Sequence, residues 1–433
     1  MYSIIVIPGK NWKLSLAELI AFLEIKNHKF YVNYFSKEFF VIQLEKKINP
    51  SVINALGGAI KIGEIETSFR TAYLKEAILN KDKISKKKIR NIILEKTKII
   101  DNLVSSEKKT FFGVSIYCSE KKLGKISTRI QRFFGKVIKE ELAEQGKKSR
   151  FMGFSKNRKN PQLSHVEVIK KRLIDNNGEL IISTNENQTW LSTTKAVHNP
   201  FEFQKRDIEK PIQRKIFAMP PRIARILINL ALCDRKNILL DPFCGVGSIL
   251  LEGALNGSKV IGIDINPWCI RASEKNLEWL INNYQIQEHD FRVMLGDVRN
   301  LSGKIRYKEI DCIVTEPDLG PALQQVPTNA YAQKIINKLD VIYSAFLIES
   351  YKILKKNGRC VFVSPYLRTR SGNFLKMNIE EKAGKAGFKR VFPFNKDFFR
   401  KSAIKTVKIW ENKSLVDISK RHKTGREIHI FQK

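Results

Sequence analysis

Apolar positions along this chain follow two rhythms, and the change from one to the other divides it. Near the start, "YSIIVI" and "FFVIQL" are short apolar runs of strand character. "LSLAELIAFLE" between them repeats its apolar residues at three and four, the spacing of one helix face. A Lys-rich helical region follows over 72–104, then the strands "TFFGVSIY" and "ELIIST". From about residue 219 the pattern becomes strand, glycine turn, helix, repeated through "NILLDPF", "KVIGIDI", "RVMLGDV", "DCIVTEP" and "RCVFVSP". Strands alternating with helices predict βαβ units and a parallel sheet, and their near-continuous apolar character fits burial on both faces. "KAVHNPFEFQKRDIEKPIQRKIFAMPP", polar and punctuated by proline, reads as a linker. The expected division is a small α+β domain at 1–60, a mixed α/β domain at 61–195, a linker at 196–218 and the regular α/β domain at 219–433.

Composition narrows the class. A chain of 433 residues exceeds what one core usually organises. No window approaches the roughly 18 consecutive apolar residues of a membrane span, and the N-terminus lacks the charged start and small-residue exit of a signal peptide. The six cysteines at 118, 233, 244, 269, 312 and 360 are scattered without a CxxC pair. That argues against a zinc ribbon and a disulfide framework, so no metal is expected and a reducing, cytoplasmic location follows. Charge is the informative total: 78 Lys and Arg stand against 43 Asp and Glu, a net of +35. The excess is spread over both halves and points to a polyanionic partner, although a Lys-, Ile- and Asn-rich composition accounts for part of it.

Ligands of open α/β sheets bind beyond the carboxyl ends of the strands, so those ends are read together. The first strand of the regular domain runs into "LLDPFCGVGSILLEG", where Gly245 and Gly247 permit a tight turn before a helix. The second ends in Asp264, 17 residues after Gly247, a spacing suited to a carboxylate bonding ribose hydroxyls. The third ends in "LGDV", carrying Asp297, and the fourth in Glu316. A dinucleotide site needs G-x-G-x-x-G for its pyrophosphate. Here Asp241 precedes the glycines and would repel a diphosphate while suiting a cation. S-adenosylmethionine carries a sulfonium and an amine and no phosphate. Asp241 for the methionine end, Asp264 for ribose and Asp297 for the adenine amine form a chemical set, with Phe243, Ile265 and Val298 completing the cofactor-binding candidates.

"DPFCGVGSILLEG", "GIDINP", "LGDV" and "MPPRIARILINLAL" resemble the catalytic domain of the THUMP-domain guanosine-N2 RNA methyltransferases, the type that modifies guanosine 10 of tRNA. "NPFEFQKRDIEKPIQRK" is similar to that family's linker, and "NWKLSLAELIAFL" with "LGGAIKIGEI" to its N-terminal ferredoxin-like region. The resemblance implies a Rossmann-like class I methyltransferase domain with a seven-stranded sheet closed by "REIHIFQK", preceded by a ferredoxin-like region and a THUMP-like α/β RNA-binding domain. It implies a fourth-strand motif D/N-P-P-Y/F whose polar residue and proline carbonyl accept the amine hydrogens while the aromatic stacks on the base. By position Glu316, Pro317 and Asp318 stand at the first three places and Leu319 at the aromatic one. Glu is a methylene longer than Asp, and Leu319 has no π face, where base stacking is worth about 1–3 kcal/mol. Asp318 is either a second acceptor or a turn cap. A cysteine nucleophile is disfavoured, because "TEPD" and "VSPY" carry no thiol at the ends of the fourth and fifth strands.

The segment "GKKSRFMGFSKNRKN" at 146–160 holds six cations and no acid. Lys147, Lys148, Arg150, Lys156, Arg158 and Lys159 suit phosphates, and Phe151 and Phe154 suit stacking on unpaired bases. "KISKKKIR" at 83–90 reads as a solvated helix face. The sequence therefore leads to methyl transfer from S-adenosylmethionine to guanosine N2 in tRNA. A ribosomal RNA or other amine substrate stays open, as do a cofactor-binding RNA-binding protein without catalysis and the need for a small activating subunit.

Overall fold

The computed structural model describes residues 2–97, 100, 110–152, 161–214, 218–284, 286, 291–400, 407, 410, 413–419 and 421–433. Its first half is built on one eight-stranded sheet. The strands are β1 (Tyr2–Pro8), β2 (Phe30–Phe35), β3 (Phe40–Leu44), β4 (Ala59–Arg70), β5 (Thr110–Cys118), β6 (Ser149–Met152), β7 (Glu179–Thr184) and β8 (Gln188–Val197), in the order β2-β3-β1-β4-β8-β7-β5-β6. The helix Trp12–Ile25 follows β1, and a 3₁₀ turn at Pro50–Ala55 precedes β4, giving the strand order of a ferredoxin-like unit with its second helix reduced to a turn. The boundary drawn at residue 60 falls inside β4. That strand is 12 residues long and pairs with β1 on one edge and β8 on the other, so the two N-terminal parts share a sheet.

The second sheet contains β9 (Ile238–Asp241), β10 (Lys259–Asp264), β11 (Phe291–Leu295), β12 (Ile310–Thr315), β13 (Leu354–Arg368), β14 (Phe374–Lys376), β15 (Lys389–Arg390), β16 (Leu415–Asp417) and β17 (Thr424–Gln432). Its main path is β11-β10-β9-β12-β13-β17-β15, with β14 on β13 and β16 on β17. β9 to β13 are parallel, and β17, the "REIHIFQ" strand, inserts antiparallel beside β13. Chain order runs outward from β9 in one direction and then resumes at β12 on its other side, so a crevice opens between β9 and β12.

Side chains of these strands alternate between two cores, as the two-residue repeat requires. Leu239, Val260, Cys312, Val314, Val361 and Val363 face one core; Leu240, Ile261, Ile313, Cys360 and Phe362 face the other, under the helix Asn329–Ile353. The first core also contains Ile4, Leu16, Leu19, Phe22 and Ile42, so the N-terminal unit and the second sheet pack as one apolar body. The stretch expected to be a linker is docked. Arg206 Nε donates to Glu252 Oε1 at 2.5 Å and Arg225 Nη2 to Glu252 Oε2 at 2.7 Å, all three side chains buried, and the Ile212 amide donates to Asn276 Oδ1 at 2.9 Å. The expectation of unpaired cysteines is corrected at one place: Cys233, beyond the helix Pro221–Leu230, is disulfide-bonded to Cys312 in β12. Adjacency in the fold, 79 residues apart in sequence, brings the two together. No described helix is long and apolar enough to cross a membrane.

Candidate active site

Strand β9 delivers Asp241 to the crevice with its carboxyl group 1% exposed. Its Oδ1 accepts from Thr315 Oγ1 at 2.6 Å and from the Phe243 amide at 3.1 Å. Burial pushes its pKa up to about 7; the two hydrogen bonds oppose the rise, and the charges of Asp264 and Glu316 add to it. Asp241 and Asp264 end the adjacent parallel strands β9 and β10, and Glu316 follows the end of β12 on the other side of β9, so all three stand at one edge of the sheet.

The loop after β9 turns through Gly245 at φ +52° and Gly247 at φ +84°, conformations that other residues rarely adopt, and the helix Ser248–Leu255 starts at once. A side chain on Gly247 would crowd Ser273, whereas Gly245 faces open space, which is room for a ligand against the backbone. Asp264 supports the loop from β10: its Oδ2 accepts from the Gly245 amide at 2.9 Å and its Oδ1 from the Asn266 amide at 2.8 Å. Ser273 and Asn276, on the helix Pro267–Tyr284, donate to the carbonyls of Gly245 and Val246 at 2.9 and 2.8 Å. Neither residue was found in the sequence, where both look like ordinary polar helix positions.

The other cofactor candidates separate. Ile265 is 66% exposed at the rim, while Phe243 is held edge-on to Phe346 at 5.8 Å and Val298 is buried in the core beneath the rim. Asp297 is committed to a neighbour. Arg299 Nε lies 3.0 and 2.9 Å from its two oxygens, and that pairing holds its carboxyl below the ordinary carboxylate range.

Glu316 emerges from the end of β12 into a partner that the sequence did not reveal. Arg426, at the start of β17, reaches over β13 opposite Pro365 and donates from Nε to Glu316 Oε1 at 2.6 Å and from Nη2 to Oε2 at 3.3 Å. Side-chain exposure is 15% for Arg426 and 12% for Glu316. Burial raises the Glu316 pKa, Arg426 pulls it back, and Asp417 of β16, the cross-strand partner of Arg426, raises it further. Pro317 is buried. The Asp318 carboxylate is exposed and accepts from the Gly320 amide at 2.9 Å, which is a turn-capping geometry. Its backbone carbonyl lies 3.1 Å from the hydroxyl of fully buried Tyr343, which is also 3.2 Å from the Val363 carbonyl, so the helix Asn329–Ile353 anchors this turn. Leu319 packs on the core.

The RNA-binding candidates lie on the other sheet. Lys148 and Arg150 are exposed beside β6, and Lys147 Nζ donates to the Ile100 carbonyl at 3.0 Å. Phe151 points inward: its ring packs on Phe112 at 5.3 Å and fills the notch at Gly135, so it is a packing residue rather than one presented to a base. Phe154, Lys156, Arg158 and Lys159 lie outside the described residues.

Comparison with known proteins bears on the family and the fold. Residues 213–388 match a family model described as RMKL-like, methyltransferase domain, and residues 61–275 match one described as DNA methylase. The chain is 38% identical over 165 residues to a tRNA (guanine(10)-N2)-dimethyltransferase of Pyrococcus abyssi, a match covering 38% of this chain and 44% of that protein. It is 32% identical over 148 residues to a probable tRNA (guanine(10)-N2)-dimethyltransferase of Methanothermococcus thermolithotrophicus, covering 33% of this chain and 79% of that protein. The match spans under half the length of the curated relatives from Methanothermobacter thermautotrophicus, Methanocaldococcus jannaschii and Pyrococcus abyssi. In fold the whole chain is similar to the crystal structure of TrmN from Thermus thermophilus, with a TM-score of 0.51 at 13% identity and all of both chains covered. The second sheet is that of a class I methyltransferase.

Proposed function

The chain belongs to the tRNA (guanine-N2)-methyltransferase family, and from that premise we propose that it transfers a methyl group from S-adenosylmethionine to the N2 amine of a guanosine in tRNA, in the cytoplasm. The observation that supports the reading is that Asp241, Asp264 and Glu316 stand at the carboxyl ends of the neighbouring strands β9, β10 and β12, where the strand order reverses. Carboxylates there favour a cation over a diphosphate, and Gly245 leaves backbone open to a ligand. Asp241 would hold the methionine end, Asp264 the ribose and Asp297 the adenine amine. S-adenosylmethionine, when bound, supplies an electrophilic methyl group. Glu316 and the Pro317 carbonyl would accept the N–H groups of the guanine amine and orient its lone pair. A carboxylate offers about four acceptor sites and Arg426 takes two, so Glu316 keeps capacity for an amine. Residues 61–195 are read as a THUMP-like unit that carries the tRNA through Lys147, Lys148 and Arg150, with Lys156, Arg158 and Lys159 as further phosphate contacts.

A second reading has its own observation. Glu316 is occupied by Arg426 and Leu319 replaces an aromatic, as a binding protein without turnover would show. One experiment separates them. Purified protein incubated with methyl-labelled S-adenosylmethionine and tRNA should yield N2-methylated guanosine on nucleoside mass spectrometry. Cofactor and tRNA binding with no methylated product would establish the second reading.

A further inference from the structure

Two clefts outside the crevice meet at the loop after β1. One, of about 810 Å³, lies between that loop, Lys37, Glu38 and Tyr117, and the segment Gln162–His165, which follows directly on the basic stretch 146–160. The other, of about 560 Å³, continues past Gly57, Gly58 and Arg222 to Val416 and Asp417. Gly9, Lys10 and Trp12 line both. Sharing that loop, the two form one trough, which runs from the Gln162–His165 segment to Asp417, the cross-strand neighbour of the arginine that holds Glu316.

The charge along this trough is unbalanced where the clefts join. Lys10 is exposed, and Lys13 lies 5.0 Å over the Trp410 ring and 5.7 Å over the Trp12 ring. Neither has a carboxylate partner among the described residues, and burial, with the charge of Lys413 added, lowers the Lys13 pKa. His422 lines the far end. The lining acids are Glu38, already 3.7 Å from Lys37, and Asp417. Cations that no described carboxylate neutralises are what a polyanion relieves.

We propose that this trough is the track of the substrate RNA strand, with Lys10 and Lys13 taking backbone phosphates between the N-terminal half and the amine-binding acid. The proposal rests on the tRNA reading above and adds the surface that connects its two halves. It gives the N-terminal unit a role beyond scaffolding: its first loop lies across the route to Glu316.

The test is tRNA binding by fluorescence anisotropy across a salt series, with the full chain and two charge-reversal doubles, K10E/K13E in the trough and K83E/K87E on the exposed helix Lys83–Lys96. K10E/K13E should bind tRNA about tenfold more weakly and lower the slope of log K against log salt by about 1.4, as two lost single-strand phosphate contacts require. Its affinity for S-adenosylmethionine should match wild type, which shows that it is folded. Equal losses in the two doubles would mean a general charge effect and overturn the track, as would wild-type binding and slope in K10E/K13E. Wild-type protein that binds S-adenosylmethionine but no tRNA would overturn the substrate reading and the track together.

Discussion

A glutamate at position 316 reaches one methylene further than an aspartate, and Arg426 takes up that reach. In a mostly buried site the pair does two things: it fixes the carboxylate and opposes the desolvation that raises its pKa. Glu316→Gln should leave cofactor affinity near wild type and lower kcat by about 10²-fold, the scale of one lost transition-state hydrogen bond. Arg426→Met should shift the acidic limb of the kcat–pH profile upward, because Glu316 then protonates at higher pH; an unmoved limb would remove Arg426 from the chemistry. Asp241 gives a separate pH signature. Its folded-state pKa is raised to about 7, so the stability associated with its neutral form is present in the carboxylate range and is lost as pH rises through about 7. A cationic ligand binds the ionised form better. Affinity for S-adenosylmethionine, measured by calorimetry, should therefore strengthen as pH rises through about 7, and Asp241→Asn should bind more weakly with a flat profile.

At the scale of elements, the loop after β9 and the turn before β4 solve the same problem of close backbone approach. Gly247 lies against Ser273 of the following helix; Gly57 lies directly on the Arg222 carbonyl of the helix Pro221–Leu230, whose Arg222 side chain donates from Nε to the Gly57 carbonyl at 2.7 Å. A methyl group at position 57 has no room, so Gly57→Ala should cost about 1–3 kcal/mol by forcing helix and turn apart. Chemical denaturation reads this directly, and no loss would mean that the contact yields freely. The cofactor turn was legible in the sequence because D-P-x-x-G-x-G before an apolar helix has few other uses. The Gly57 contact was not, since "LGG" is an ordinary turn until its partner 165 residues away is known.

For the molecule as a whole, the join between the halves is polar at its centre and apolar around it. Glu18, fully buried on the helix Trp12–Ile25, accepts from the Gly57 and Gly58 amides at 2.7 and 2.6 Å and from Asn229 Nδ2 at 2.8 Å. Glu18→Ala orphans three buried donors and should cost at least about 3 kcal/mol. Because those donors lie on both sides of the join, the variant should unfold in two transitions where the wild type unfolds in one. A single transition with unchanged midpoint would show that the apolar contacts alone hold the halves together.

Read alone, the sequence determined what depends on local chemistry and short spacing: the βαβ rhythm, the glycine turn, the acids at four successive strand ends and the cationic excess. Strand periodicity and turn chemistry act within a few residues, so they survive without knowledge of the fold. What only the tertiary structure decided concerns partners distant in sequence. Arg426 meets Glu316 from 110 residues away, and Phe151 turns its ring into the core against Phe112. Lys10 and Lys13 share one trough with Val416 and Asp417 because the last strands fold back beside the first loop. Charge and reach are written in each residue, but which groups neutralise one another is set by packing.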